Sequence, residues 1–266
     1  MTDANFNTIK QIAYQLTGIS LSDHKKNMIY GRLSRRLRKL CLPDFNSYIQ
    51  LISESESPET TDFINAITTN LTSFFREEHH FNHLRTEVLP RLMRTNMGSK
   101  RIRIWSAGCS TGEEPYSIAM VVSSFSSLAG WDVKILATDL DTNVVRKASQ
   151  GIYNAERAEG IPNDYRKYLQ YDKQNDRVRV HDRVKKIITF KPLNLLHTWP
   201  MKGPFDIIFC RNVVIYFDAE TQRKLFDRYA DILKPEGDLF IGHSESLHNI
   251  TRRFSLCGRT MYKKVS

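Results

Sequence analysis

The stretch Arg101 to Met120, RIRIWSAGCSTGEEPYSIAM, constrains the fold of this chain more than any other. Arg101 to Trp105 alternates polar and apolar residues and carries isoleucine and tryptophan, which is a strand pattern. Gly108 and Gly112 bracket a turn of small residues. Glu113, Glu114 and Pro115 suit the first turn of a helix. Acidic side chains are favoured at that positive end, and proline lacks only a donor that has no partner there. A strand, a glycine turn and a helix form the unit on which open α/β sheets bind nucleotide-like ligands, because glycine lets the backbone come close.

Two adjacent glutamates make this helix start a poor cradle for phosphate, since like charges repel. They suit a ligand with cationic groups and hydroxyls. S-adenosylmethionine, with an ammonium and a sulfonium, fits the loop better than a dinucleotide pyrophosphate. On the loop alone a plainer reading stands beside it: Glu113 and Glu114 complement the helix dipole.

From residue 99 onward the pattern is α/β. WDVKILATD (131–139) reads as a second strand ending in Asp139, where an acid would hold a ribose diol. Asp141 is placed to cap the next helix. Residues 152 to 186 are polar and tyrosine-rich, and read as a small inserted antiparallel β-subdomain. KIITFKPLNLL (186–196), PFDIIFCRNVVIYF (204–217) and LKPEGDLFIGHSES (233–246) supply three more strands, and FSLCGRTMYKKV (254–265) a terminal antiparallel hairpin. Short apolar runs alternating with helical segments predict a mostly parallel, Rossmann-like sheet. Asp139, Asn194, Arg211 and Asn212 then fall at the carboxyl ends of strands, the edge where such sheets bind ligands.

The first part of the chain reads as short helices. Phe6, Ile9, Ile12 and Leu16 recur at helical spacing, as do Phe45, Tyr48, Ile49 and Ile52, and then Phe63, Ile64 and Ile67. Ile29, Leu33, Leu37 and Leu40 form a narrow apolar arc. This divides the chain into a helical domain (1–75), linker helices (76–98) and an α/β domain (99–266). Net charge is +10, and residues 24–40 hold seven bases and no acid. Arg32, Arg35, Arg36, Arg38 and Lys39 there predict docking on an acidic surface. In TNLTSFFRE, Asn70, Thr72 and Ser73 can bond local backbone, and Phe74 and Phe75 can anchor to a core ahead of Arg76. His79, His80 and His83 resemble a metal cluster, but no matching Cys or His spacing occurs elsewhere, so no metal is expected. Cys41, Cys109, Cys210 and Cys257 form no CxxC pair and suggest reduced thiols. With no apolar run of membrane-spanning length and no secretory leader, the expectation is a cytoplasmic protein without membrane insertion.

Taken jointly, TNLTSFFRE, WSAGCSTGEEPYSIAM, ATDLD, NLL, FCRNVVIYFD and LKPEGDLFIGHSES resemble the CheR family of chemotaxis receptor methyltransferases, from about residue 5 to the C-terminus. The resemblance implies a class I S-adenosylmethionine-dependent methyltransferase domain behind a small all-helical N-terminal domain, with the β-subdomain inserted after the second strand. It implies transfer of a methyl group to glutamate side chains on the cytoplasmic helices of a chemoreceptor. Carried over, the cofactor contacts are Asn70, Thr72, Arg76 and Glu114, with Asp139 on the ribose, Asn194 and Leu195 by the adenine, and Arg211 and Asn212 at the fourth strand's end. Arg76 either grips the cofactor's carboxylate or orients the substrate. Tyr216 either positions the substrate or is a buried aromatic. Some family members bind a C-terminal receptor peptide on the inserted subdomain, and no motif in 152–186 decides this here. A nucleic-acid methyltransferase is the rival suggested by a pI of about 9.4. However, the basic helix lies far in sequence from the loop, and CRNVVIY is not the DPPY-like motif of amino-group methylation, so no nucleic-acid partner is expected. A non-catalytic binding module is the other rival.

Overall fold

The computed structural model describes residues 1–265; Ser266, the last residue of the 99–266 range, lies outside the described residues. Four helices come first: α1 (Asp3–Thr17), α2 (Lys26–Lys39), α3 (Phe45–Ser53) and α4 (Thr60–Ile67). Local chemistry sets their ends. Thr2 and Asn5 form a reciprocal capping box on α1, Gly18 closes that helix at φ +71°, and Asp44 caps α3. Their apolar faces meet in one core of Phe6, Ile9, Ile29, Leu33, Tyr48 and Phe63. Leu40 of the predicted arc is only half-buried, because α2 has ended by then.

α5 (Glu78–His83) and α6 (Leu89–Thr95) follow, joined by a π-helical turn (Leu84–Val88). Pro90 lies inside this unbroken helical run, directly after the π-helical turn whose wider bonding (Leu89 N–H to the Leu84 carbonyl) accommodates a residue without an N–H.

The α/β region runs β1 (Arg101–Ala107), α7 (Glu113–Ser123), β2 (Asp132–Asp139), α8 (Thr142–Gln150), β3 (Ile152–Asn154), α9 (Asn163–Arg166), β4 (Leu169–Asp172), β5 (Arg177–Val180), α10 (Asp182–Lys185), β6 (Ile188–Pro192), β7 (Phe205–Cys210), α11 (Ala219–Ile232), β8 (Leu233–Ile241), β9 (Phe254–Gly258) and β10 (Met261–Lys264). Seven strands form one sheet in the order β6-β2-β1-β7-β8-β10-β9. β6, β2, β1, β7 and β8 are parallel, and β10 runs antiparallel to both β8 and β9. This is the mostly parallel sheet with a terminal antiparallel hairpin that the sequence predicts. β7 is buried at every position, as a central parallel strand covered on both faces must be. Its Ile207 and Phe209 pack towards Tyr116 and Ile118 of α7, while Ile208 and Cys210 pack towards Phe226 and Tyr229 of α11.

Chain order reverses between β1 and β7, which opens a crevice at their carboxyl ends. The helical domain closes over it. Ser20 N–H donates to the Tyr216 carbonyl (2.9 Å), and Asn194 Nδ2 donates to the Leu16 carbonyl (3.0 Å). The inserted strands form a separate antiparallel sheet, β3-β5-β4. It is fixed to the rest by Tyr153, whose hydroxyl donates to the Thr111 carbonyl (2.7 Å), and by Tyr165, which stacks on Phe75 at 4.8 Å.

Candidate active site

The turn after β1 folds back on β2: Gly108 and Cys109 N–H both donate to the Thr138 carbonyl (2.8 and 2.9 Å). Gly108 and Gly112 each sit at φ +99°, in the left-handed region. A Cβ on Gly108 would lie 2.3 Å from Val213 Cγ2, and one on Gly112 would lie 2.8 Å from Ala148 Cβ. Ser110 N–H donates to Asp139 Oδ2 (2.8 Å), and Asp141 N–H donates to Asp139 Oδ1 (3.0 Å). Asp141 itself caps α8. Burial pushes the Asp139 carboxyl up to about 6 against the N–H groups that hold it down.

The two glutamates at the start of α7 have different partners. Glu114 accepts from Ser106 Oγ (2.7 Å) and Arg211 Nη1 (3.0 Å). Burial raises its pKa, opposed by the arginine. Glu113 is fully buried and accepts from Thr111 Oγ1 (2.6 Å) and from Arg157 of the inserted subdomain. The dipole-only reading of Glu113 is corrected by that ion pair.

One cleft of about 1040 Å³, open to solvent, lies between the helical domain and the sheet's carboxyl edge. Asn70, Thr72, Arg76, Glu114, Asp139, Asn194, Leu195, Arg211, Asn212 and Tyr216 all line it. Their side chains are not equally available. Arg211 is almost fully buried and Asn194 ties its amide to α1, whereas Arg76 is half-buried with Nη1 donating to the Leu71 carbonyl (2.9 Å). Asn70 Nδ2 donates to Asp141 Oδ2 (2.8 Å), so the linker is held against β2's end. Tyr216 is half-buried, and Arg76 opposes the upward push of burial on its pKa. Lys25 Nζ lies 4.6 Å from its ring centre. Two cations, Arg76 and Lys25, thus flank Tyr216 at one side of the cleft.

The basic helix α2 needs a correction. Arg36 makes a two-pronged pair with the buried Glu59 (2.7 and 2.6 Å) and also reaches Asp62, which raises its pKa. Arg32 donates to the Ala66 and Thr68 carbonyls. Both hold α2 to α4 and are not free docking charges. Arg35, Arg38 and Lys39 remain exposed.

The histidines divide as well. Glu77, His79 and His80 bring ligand-type atoms within 4.8 Å of one another, while His83 packs on Phe240. Arg211 lies 3.4 Å from Glu77 Oε2, so a dication there would face a buried guanidinium. His80 is fully buried with Nε2 2.9 Å from Thr260 Oγ1, and burial holds its pKa down to about 3.

Three residues escaped the sequence reading. Ser110 bridges Asp139 and the Asn70 carbonyl. Glu77, directly after Arg76, joins Arg211 to His243. Glu245, in the HSES segment, accepts from the backbone N–H groups of Gly242, Asn212, Val213 and Val214 at 2.6–2.9 Å, with Ile215 at 3.4 Å. It thereby shapes the turn from Asn212 to Tyr216. The only hint in the sequence was an acid among small residues just past a strand end.

Comparison with known proteins bears on these residues. Residues 70–263 match the family described as CheR methyltransferase, SAM binding domain, and residues 4–68 match CheR methyltransferase, all-alpha domain. The chain belongs to the CheR methyltransferase family. It is 45% identical to the chemotaxis protein methyltransferase of Escherichia coli K12 over 98% of this chain and 91% of that one. It is 42% identical to chemotaxis protein methyltransferase 2 of Pseudomonas aeruginosa (98% and 93%) and 40% identical to the chemotaxis protein methyltransferase of Borreliella burgdorferi (93% and 89%). The chain is therefore an S-adenosylmethionine-dependent methyltransferase. The cleft offers groups of the kind such a cofactor can bond: a carboxylate at Asp139, a guanidinium at Arg76, and turn glycines with no room for a side chain.

Proposed function

We propose that the cleft holds S-adenosylmethionine, with Asp139 on the ribose hydroxyls, Asn194 and Leu195 by the adenine, and Asn70, Thr72, Arg76 and Glu114 on the remainder. Arg211 and Asn212 shape its floor. The methyl acceptor is a glutamate on the cytoplasmic helices of a chemoreceptor, converted to its methyl ester in chemotaxis. The observation that carries this reading is the convergence of residues from Asn70 to Tyr216 on one cleft with cations at its acceptor side.

S-adenosylmethionine supplies an electrophilic methyl group when bound. A glutamate, with a pKa near 4.3, is already ionised at neutral pH, so this chain needs no general base. Its residues have two tasks. They exclude water, because a reaction that merges an anion with a cation proceeds better in a dry site, and they hold the acceptor carboxylate in line. A tight ion pair to both acceptor oxygens would stabilise the ground state more than the transition state. Arg76 therefore holds the cofactor's carboxylate or one acceptor oxygen, and Tyr216 steadies the acceptor by a hydrogen bond. Neither role calls for a metal.

The division into a helical domain (1–75), linker helices (76–98) and a methyltransferase domain (99–266, with 152–186 inserted) belongs to the same proposal. So do a cytoplasmic location and a receptor C-terminal peptide pairing with an edge strand of the inserted sheet. Arg35, Arg38 and Lys39 steer acidic receptor helices to the cleft. Methylation of a receptor cytoplasmic fragment should then weaken with salt, and reversing these three charges to glutamate should raise its KM roughly tenfold at low ionic strength. A rate flat in salt and insensitive to the reversal contradicts receptor docking on α2.

A further inference from the structure

Arg76 sits between two non-glycine residues in the left-handed region, Phe75 at φ +52° and Glu77 at φ +59°. Such backbone persists only where neighbours hold it. Phe75 has clear anchors: its N–H donates to Ser117 Oγ (3.0 Å), and its ring stacks on Tyr165 and meets Phe81 edge-on. Glu77 stands at the cap position of α5 but makes no capping bond. Its side chain is 9% exposed, and its carboxylate meets Arg211 Nη2 at 3.4 Å and His243 at 2.8 Å (Nδ1) and 3.2 Å (N–H).

Arg211 is the other half of this arrangement. Its side chain is 2% exposed, and it reaches Glu114 with Nη1 and both Glu77 and the Arg76 carbonyl with Nη2. Two buried carboxylates, Glu114 and Glu77, therefore flank the buried Arg211 beneath the cleft, with Ser106 bonded at one end and the exposed His243 at the other. Arg76, Glu114 and Arg211 line the cleft; Glu77 does not.

We propose that Glu77 is a positioning residue. It fixes the Arg211 guanidinium and the left-handed turn after Arg76, and so presents Arg76 and Glu114 to the cofactor in one geometry. Glu114 holds the guanidinium from one side by a 3.0 Å bond and Glu77 from the other by its charge at 3.4 Å. With Glu77 neutral, Arg211 is drawn to Glu114 alone, and the Arg76 carbonyl loses the donor that ties it to the end of β7. His80, whose Nδ1 lies 3.5 Å from Glu77, is kept neutral by burial, so Arg211 is the buried cation that Glu77 faces.

The titration of Glu77 agrees with this geometry. Hydrogen bonds from His243 and the charge of Arg211 outweigh burial and hold its pKa down to about 2, below the unfolded value near 4.5. Its folded value is the lower one, so the ionised carboxylate stabilises the fold above pH 4.5, and that contribution is lost as pH falls towards 2.

The test compares Glu77→Gln, Glu77→Asp and, as a control at the exposed helix start, Glu78→Gln. Calorimetric titration with S-adenosylhomocysteine measures cofactor-site affinity, and methylation kinetics separate kcat from KM. Glu77→Gln should weaken binding roughly tenfold or more and lower kcat as well, because Arg76 and Glu114 both lose their geometry. It should also lack the part of acid unfolding between about pH 4.5 and 2. Glu77→Asp should recover part of the affinity, and Glu78→Gln should change neither quantity. The inference rests on the cofactor reading of the cleft. Wild-type protein that fails to bind S-adenosylhomocysteine overturns that reading. Wild-type binding with Glu77→Gln equally tight and equally fast overturns only the role of Glu77. Equal losses in Glu77→Gln and Glu78→Gln reduce Glu77 to a helix-start residue and overturn it too.

Discussion

Replacing Arg76 with alanine should lower kcat/KM for methyl transfer on the order of 100-fold while leaving the melting temperature within a few degrees of wild type. The guanidinium makes one bond to the protein, Nη1 to the Leu71 carbonyl, and otherwise faces the cleft beside Tyr216. Its removal costs little packing and one surface bond. The kinetic pattern reports which carboxylate Arg76 holds. If it grips the cofactor, KM for S-adenosylmethionine rises and kcat returns at saturation. If it orients the acceptor, kcat stays low at any cofactor concentration. Wild-type KM and kcat together would remove Arg76 from the site.

The second large effect is expected at Glu245. One buried carboxylate accepts from four backbone amides at 2.6–2.9 Å, with a fifth at 3.4 Å. Asn212, the first residue of that turn, is itself at φ +58°, and a Cβ on Gly242 would lie 2.8 Å from the Asn212 nitrogen. The turn is therefore crowded, and the Glu245 carboxylate is the acceptor that all five of these N–H groups share. Each buried N–H left without a partner costs about 1–3 kcal/mol. Glu245→Ala should accordingly destabilise the fold by on the order of 4 kcal/mol and lower the melting temperature by roughly 10 °C. Glu245→Gln is the sharper variant. It keeps the shape, but its amide N–H₂ points at groups that are also donors. It should lose about half as much stability and still lose turnover, because the same turn carries Asn212 and Tyr216 into the cleft. A Glu245→Gln protein with unchanged melting and unchanged kcat contradicts this.

Local signals in the sequence carried much of the fold. The alternation in RIRIW, the turn glycines and Asp141 at a helix start each act through neighbours a few residues away, so β1, α7 and the α8 cap were legible. The strand-end residues were legible for a related reason: the carboxyl edge of a parallel sheet gathers them wherever the strands end. Arg32 and Arg36 were misread because the helix pattern shows which face is solvent-side, not what another helix brings to it. Glu59, Asp62 and the Ala66 and Thr68 carbonyls come from α4 and its ends, and they turn two of the five apparent docking residues into an internal joint. Glu113 is the same lesson at longer range. Its partner Arg157 lies in the inserted subdomain, and no local rule connects a helix-start glutamate to it. Glu77 and Glu245 hold the site from behind, and side chains that bond backbone or buried charge leave no periodic trace.

The most direct test uses methyl-labelled S-adenosylmethionine, the purified protein and a receptor cytoplasmic fragment, followed by mild alkali. Glutamyl methyl esters release volatile labelled methanol, whereas N-methyl groups keep their label. The prediction is labelled receptor that alkali fully discharges and that disappears when the acceptor glutamates are changed to alanine. Alkali-stable label, or no label on a fragment that binds, would contradict it.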